Sequence, residues 1–376
     1  MGRFAVTIKY EYKYKPTPNA EAFYDLFFNT LNSISLSLSG VKKYSESGVD
    51  PSLDAETFIR QEILHAICLL PGMERRELYI KSKFDGLPIC TLACVPQVRP
   101  HAVMCLVHGL CGCKERFLPF MDYLTSNGFV CVACDLRGHG SSILNEEDRG
   151  YTYNGGAEAV VIDLDGVIDY ICETYAGLPI YMLGHSMGSL AVRAYAKHHD
   201  DRLNGLVVCG SPSPNPLTPI VYTAFRFLCL VGYGHRRIGY IQKFISRRYN
   251  KAFRLEGYQA WTCSDPDIRR SYAEDPRCNF YITADCAATL MDLFRETYSK
   301  YGWEQVKQQL PIIFLSGDDD PCMINSTKFN RSVDRMRLNG YADVRCHTYA
   351  GMRHEILMEL KKESVWADIL NFIASA

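Results

Sequence analysis

From residue 77 onward, short apolar runs alternate with stretches whose apolar positions recur at helical spacing. The runs at 102–107, 129–134, 180–183 and 206–209 are short and almost uniformly apolar, the pattern of strands buried on both faces. Between them the spacing predicts helices near 115–127, 157–175 and 189–198. Buried strands alternating with amphipathic helices predict a mostly parallel sheet covered on both sides. Ahead of this series, residues 77–82 and 89–96 flank the turn-forming pair Asp85-Gly86, which predicts an antiparallel hairpin.

The alternation breaks at Ser211-Pro212-Ser213-Pro214-Asn215-Pro216. The chain is then helical and aromatic up to about residue 305, and strands return at 312–316 and 344–349. A helix lies between these two strands and a last one spans 355–374. An insertion at this point sits over the carboxyl ends of the strands, where such sheets bind ligands. The domain reading is therefore an N-terminal helical extension (1–75, with a helix at 54–69), a core (76–212), a helical cap (213–305) and the rest of the core (306–376).

The strongest chemical signal is Gly184-His185-Ser186-Met187-Gly188, between a predicted strand and a predicted helix. A serine on so sharp a turn has its hydroxyl pushed clear of the sheet, beside a helix N-terminus. As a nucleophile it needs a base, and the base needs an orienting carboxylate. Acid and base should follow in that order, on loops after late strands. Ser316-Gly317-Asp318-Asp319-Asp320-Pro321 and Gly351-Met352-Arg353-His354 meet that requirement. Asp320 is the acid of choice because Pro321 pins the turn after it, with Asp318 as the alternative. His354 is the base of choice, since its competitor His347 falls inside a strand. The backbone N–H groups of Met187 and Leu110 are the expected oxyanion donors, Leu110 by way of the tight turn at Gly109. In the stretch 135–142 the glycines shape a turn, and Arg137 and His139 read as structural.

Together, His108-Gly109-Leu110, DLRGHGSS at 135–142, GHSMGSLAVRAYA at 184–196, SGDDDP at 316–321 and RHEIL at 353–357 resemble the monoacylglycerol lipase and lysophospholipase branch of the α/β-hydrolases. That branch is grouped with the serine aminopeptidases. The similarity runs over about residues 76–376 and includes DPRCNFYITADCAATLMDLF in the cap. It implies the α/β-hydrolase fold and hydrolysis of acyl esters through Ser186, Asp320 and His354, with no cofactor and no metal. His185, Phe225 and Phe227 are assigned to substrate binding. Relatives often carry HGxxEH, whereas this chain reads His108-Gly109-Leu110-Cys111-Gly112-Cys113 followed by Lys114-Glu115-Arg116.

Lys and Arg total 41 against 42 Asp and Glu, so no global field favours nucleic acid. The partner expected is a small acyl ester, and oligomeric state is not readable. The N-terminal MGRFAVTIKYEYKYK lacks a charged-then-apolar export pattern, which predicts a cytoplasmic protein whose 16 cysteines are reduced. Cys131 and Cys134 have C-x-x-C letters, but three apart in a strand they face opposite ways. Cys111 and Cys113 have no further ligand at metal-site spacing. The apolar run 219–234 predicts a buried cap helix, the alternative being an acyl-tunnel wall or a lid that touches a membrane transiently, with His235-Arg236-Arg237 and Arg247-Arg248 at head groups. Two rival functions stay open. An aminopeptidase or amidase would need a cap carboxylate (Glu256, Asp265, Asp267, Glu274 or Asp285) to hold an ammonium. A catalytically silent binding module would keep the fold alone.

Overall fold

The computed structural model describes residues 73–303 and 307–375. The N-terminal extension and its predicted helix at 54–69 lie outside the described residues, apart from the extension's last three positions.

Eight strands form one sheet: β1 (Met73–Lys81), β2 (Pro88–Pro96), β3 (Ala102–Val107), β4 (Phe129–Cys134), β5 (Ile180–His185), β6 (Gly205–Cys209), β7 (Ile312–Gly317) and β8 (Val344–Tyr349). Their order is β1-β2-β4-β3-β5-β6-β7-β8. β1 and β2 are antiparallel to their neighbours, and every pair from β4 to β8 is parallel. The sheet is that of an α/β-hydrolase. Its core has two layers because alternate residues of each strand face opposite sides. Val103, Cys105 and Cys134 pack with the helices α2 (Gly156–Thr174) and α3 (Met187–His199). Met104, Leu106 and Cys131 pack with α1 (Leu118–Ser126) and with a C-terminal helix at Lys362–Ala374. Cys131 and Cys134 thus sit on opposite faces. Each fully buried aliphatic side chain in these layers contributes about 1.5–3 kcal/mol.

Three boundaries differ from expectation by more than two residues. β1 starts at Met73, four residues early, so residues 73–75 belong to the sheet rather than to the extension. Its run Glu74-Arg75-Arg76-Glu77 hid the strand, and β1 tolerates those charges because it lies at the sheet's edge. The helix expected from 115 opens as a 3-10 turn, Lys114–Phe117, before α1. The last helix begins at Lys362, not at 355. Residues before it form a loop around the Glu359 carboxylate, which accepts the N–H groups of Arg353 (3.1 Å) and Ser264 (2.8 Å).

Between β6 and β7 stand four helices, α4 (Thr218–Leu230), α5 (Gly239–Tyr249), α6 (Pro266–Glu274) and α7 (Ala284–Tyr298). α4 is not the buried helix expected: Ile220, Phe227 and Leu230 are 68%, 61% and 78% exposed. α7 behaves in the opposite way, because its Leu293 is buried in the main core. It packs against α2 and α3 as well as against α4, so it bridges the core layer and the cap through which it was expected to run. After β7, α8 (Ser326–Leu338) leads to the edge strand β8.

Candidate active site

Ser186 joins β5 to α3 with φ 53° and ψ −117°, a conformation that L residues rarely adopt. The flanking glycines are there because backbones pass closely, not because their own torsions need it. A Cβ on Gly184 would lie 2.3 Å from the Gly188 carbonyl oxygen, and one on Gly188 would lie 2.2 Å from that of Val107. The turn is held by the Ser186 N–H on the Cys209 carbonyl (3.0 Å) and by the Ser189 N–H on the Ser186 carbonyl (2.9 Å). Ser186 itself is only half-buried amid buried neighbours. Met187 opens α3, where N–H groups have no intrahelical acceptor and the helix dipole is positive.

The loop after β3 runs against this serine. A Cβ on Gly109 would stand 2.8 Å from the Ser186 Cβ, so only glycine lets the loop come this near. Leu110 follows, half-buried between the main core and a small cap cluster of Ile282, Cys286 and Ala287. His108 fixes the loop from below. Its Nδ1 lies 2.7 Å from the Gly109 carbonyl, and its Nε2 accepts the Leu136 N–H at 2.9 Å. Both ring nitrogens are used in the neutral form, and burial pushes the imidazole down to about 4. Lys114, just after the departure from HGxxEH at Gly112-Cys113, is buried, with its ammonium 3.0 Å from Asp135, 2.9 Å from Glu115 and 3.1 Å from Glu77.

The loops after β7 and β8 bring the acid and base together: His354 Nδ1 lies 2.9 Å from Asp320 Oδ2, and both residues are buried. Asp320 also accepts the Cys322 N–H at 2.8 Å through its other oxygen, which fixes the carboxylate. Burial pulls the His354 imidazole down, but the adjacent Asp320 charge and the Cys322 sulfur outweigh it, and the net direction is well up. The competitors stand elsewhere. Asp318 turns to the Gly351 N–H (2.7 Å), and His347 is exposed on β8 against the ring of Tyr349.

The residues expected to bind substrate separate. His185 is buried, with Nε2 3.0 Å from the His354 backbone carbonyl, so it braces the base loop. It also borders a narrow cavity with His108, Arg116, Tyr272 and Glu355. Phe225 packs inward against the cap cluster near Leu110, whereas Phe227 faces solvent. Sequence reasoning missed the cap residues that reach the base. Trp261 lies 5.3 Å from the His354 ring and 5.1 Å from that of Tyr249. The Arg353 guanidinium donates to both Glu256 carboxylate oxygens (2.7 and 2.8 Å) and to the Ala260 carbonyl (2.7 Å). The Glu355 N–H donates to the Thr262 carbonyl at 2.7 Å. A lone tryptophan in a polar stretch was the one readable signal for this seam.

Among the described residues two groups bring three potential metal-ligand atoms within 4.8 Å, Cys113 with Asp275 and Cys278, and Asp320 with Cys322 and His354. In the first, Arg277 already holds the Asp275 carboxylate, with Nη2 2.8 Å from Oδ2. In the second, Asp320 is committed to His354.

Comparison with known proteins agrees with this architecture. A strained serine at a strand-to-helix turn, with a His–Asp pair on later loops of this sheet, defines the α/β-hydrolase class of ester hydrolases. Residues 98–361 match the family described as serine aminopeptidase, S33, and the chain belongs to that family. A monoacylglycerol lipase of Mycolicibacterium smegmatis is 23% identical over 292 residues, 74% of this chain and 90% of that one. The crystal structure of a thermostable carboxyl esterase from Bacillus coagulans, in complex with glycerol, superposes with a TM-score of 0.72. It is 25% identical and covers 80% of this chain and 99% of its own. A soluble variant of monoglyceride lipase from Saccharomyces cerevisiae shares the fold, with a TM-score of 0.61 at 21% identity over 80% of this chain and 96% of its own.

Proposed function

We propose that the protein hydrolyses acyl esters of the monoacylglycerol or lysophospholipid type in two steps at Ser186. His354 takes the serine proton as the hydroxyl attacks the acyl carbonyl, and Asp320 stabilises the imidazolium that forms. The N–H groups of Leu110 and Met187 receive the oxyanion. His354 then protonates the leaving alcohol and, in the second step, draws a proton from the water that frees the acid. The observation that carries this reading is the 2.9 Å contact between His354 and Asp320, on the loops that serve the strained Ser186.

The acyl-ester class rests on the monoacylglycerol lipase relative and on an aromatic cap, with Phe225 turned towards Leu110. The peptide-bond alternative finds less support. Of the five cap carboxylates available to it, Glu256 is paired with Arg353 and Asp285 accepts the Thr152 N–H and hydroxyl. Asp265 caps α6, Asp267 pairs with Arg270, and Glu274 is exposed. The outer cap face carries exposed Ile220, Phe227, Leu230, Tyr240 and Phe244, beside exposed Arg247 and Arg248. Such a face suits transient contact with an anionic membrane surface that supplies the substrate. Among the described residues no helix is long and apolar enough to cross a membrane.

The test is hydrolysis of monoacylglycerols and p-nitrophenyl esters of increasing chain length, beside Ser186→Ala. The expected result is turnover that grows with acyl length and falls at least about a thousandfold in the variant. Turnover confined to aminoacyl amides would replace the substrate class. Failure of Ser186 to react with a fluorophosphonate would remove the enzyme reading.

A further inference from the structure

The loop after β3 and the cap meet at two sulfurs. Cys113, at the start of the turn that leads to α1, has its Sγ 3.8 Å from that of Cys278, which lies between α6 and α7 and 165 residues further along the chain. Both are buried, Cys113 completely and Cys278 with 5% of its surface exposed. Around them the seam is ionic and non-covalent: Arg277 Nη1 stands 3.0 Å from Glu115, and the Arg116 guanidinium lies 3.3 Å over the ring of Tyr272.

We propose that Cys113 and Cys278 are a redox site, which hydrogen peroxide converts to a disulfide that clasps the cap to the loop bearing Leu110. A disulfide is about 2.05 Å long, so the sulfurs have less than ~2 Å to close. The pair is asymmetric. A hydrogen bond from the Cys113 thiol, aided by the guanidiniums of Arg116 and Arg277, holds the Cys278 thiol below its ordinary value. Cys278 is therefore the attacking sulfur, and it is also the one with an edge to solvent. Its thiolate attacks one peroxide oxygen; the O–O bond breaks, leaving a sulfenic acid on Cys278 and a hydroxide that takes up the proton the thiol had lost and departs as water. The Cys113 sulfur then attacks that sulfur. The S–S bond forms, the S–O bond breaks, and the Cys113 proton leaves with the hydroxyl as a second water. Two thiols have given up two electrons and two protons, and one peroxide has become two waters. A reducing thiol reverses the bond by exchange.

The consequence for activity, which rests on the ester-hydrolase reading above, follows from the two ends of the bond. One end is in the loop that passes Ser186, and the other is in the insertion over the sheet's carboxyl edge. Substrate entry at such a site requires the cap to move. A covalent clasp denies that movement, so the oxidised protein turns over long-chain esters slowly.

The experiment uses the full chain, reduced and then exposed to hydrogen peroxide, quenched with an alkylating agent and digested. The expected result is a peptide containing Cys113 joined to one containing Cys278, with slower proteolysis of the cap and loss of most long-chain ester turnover, all restored by dithiothreitol. Cys278→Ser should retain basal turnover and lose the response, and Cys278→Ala serves if the serine destabilises the seam. Oxidation of other thiols with these two still separately alkylated would overturn the proposal. So would a loss of turnover that persists in Cys278→Ser, or a cross-link that leaves cap proteolysis unchanged. Cross-link and proteolysis need no substrate, so a protein that hydrolyses nothing would sink the ester-hydrolase reading and leave this one measurable.

Discussion

Asp320 bears on His354 in a way that pH can read. A carboxylate 2.9 Å from the imidazole favours the charged ring, and the net direction of the His354 pKa is well up. Only the neutral ring can accept the serine proton, so turnover rises with pH as His354 loses its own proton. Removing the carboxylate lowers the ring's pKa, and Asp320→Asn should shift the acid limb of kcat/KM towards lower pH. It should also cut the plateau by at least about a thousandfold, because the amide no longer enforces the required tautomer. A pH–rate profile of both proteins checks this, and an unmoved limb would assign it to another group. The strained turn at Ser186 and the Asp320–His354 contact were legible in the sequence because each residue stands at or just past a strand end, where the motif and the chain order carry the information. Phe227 was not. Phe225 and Phe227 are two apart on a helix, about 200° around its axis, so one faces inward and the other out. The largely apolar composition of α4 gave little phase.

At the scale of elements, the cap is tied to the base loop by Arg353, whose guanidinium holds Glu256 and the Ala260 carbonyl. The same short segment supplies Trp261 against the His354 ring and the Thr262 carbonyl to Glu355. Arg353→Met keeps much of the side-chain volume and removes the donors. Glu256 is half exposed, so solvent screens the pair and only about 1–2 kcal/mol of stability should go with it. The local effect should be larger: faster protease cleavage within 250–265, and a lower kcat as the loop bearing His354 loses a wall. Unchanged cleavage would mean that the remaining contacts hold the segment alone. Beyond the lone Trp261 this seam was not readable beforehand, because an arginine before a histidine looks the same whether solvated or buried. The core strands and helices were readable, since burial on both faces leaves a run of apolar letters. Those boundaries that moved did so where charges sit in an edge strand, as in β1, or where a buried carboxylate organises a loop, as Glu359 does.

Across the whole molecule the buried histidines set the response to acid. Burial pushes His108 down to about 4 and His139 to about 3, and His185 is lowered for the same reason. In the unfolded chain these rings titrate near the usual value of about 6.5. Below that pH the unfolded state binds protons that the folded state refuses, so stability falls as pH falls, until the folded values are reached. His354 acts in the opposite sense: its raised value adds stability that is present below about pH 6.5 and is lost as pH rises through the folded value. The three lowered rings and the one raised ring thus act in opposite directions. His139 is the cleanest of the three to probe, because it takes no part in the proposed chemistry and neither ring nitrogen reaches the loop bearing Leu110. Its Nδ1 lies 3.1 Å from the Arg137 carbonyl, and its Nε2 has no partner among the described residues. An amide cannot titrate, so His139→Gln should unfold at a urea midpoint that depends less on pH between 7.5 and 5 than the wild type does. The difference should reach about 1–2 kcal/mol at the acid end. Parallel curves for the two proteins would mean that His139 is hydrated and charges in the folded state, and the acid sensitivity would then rest on His108, whose two ring nitrogens are both committed in the neutral form.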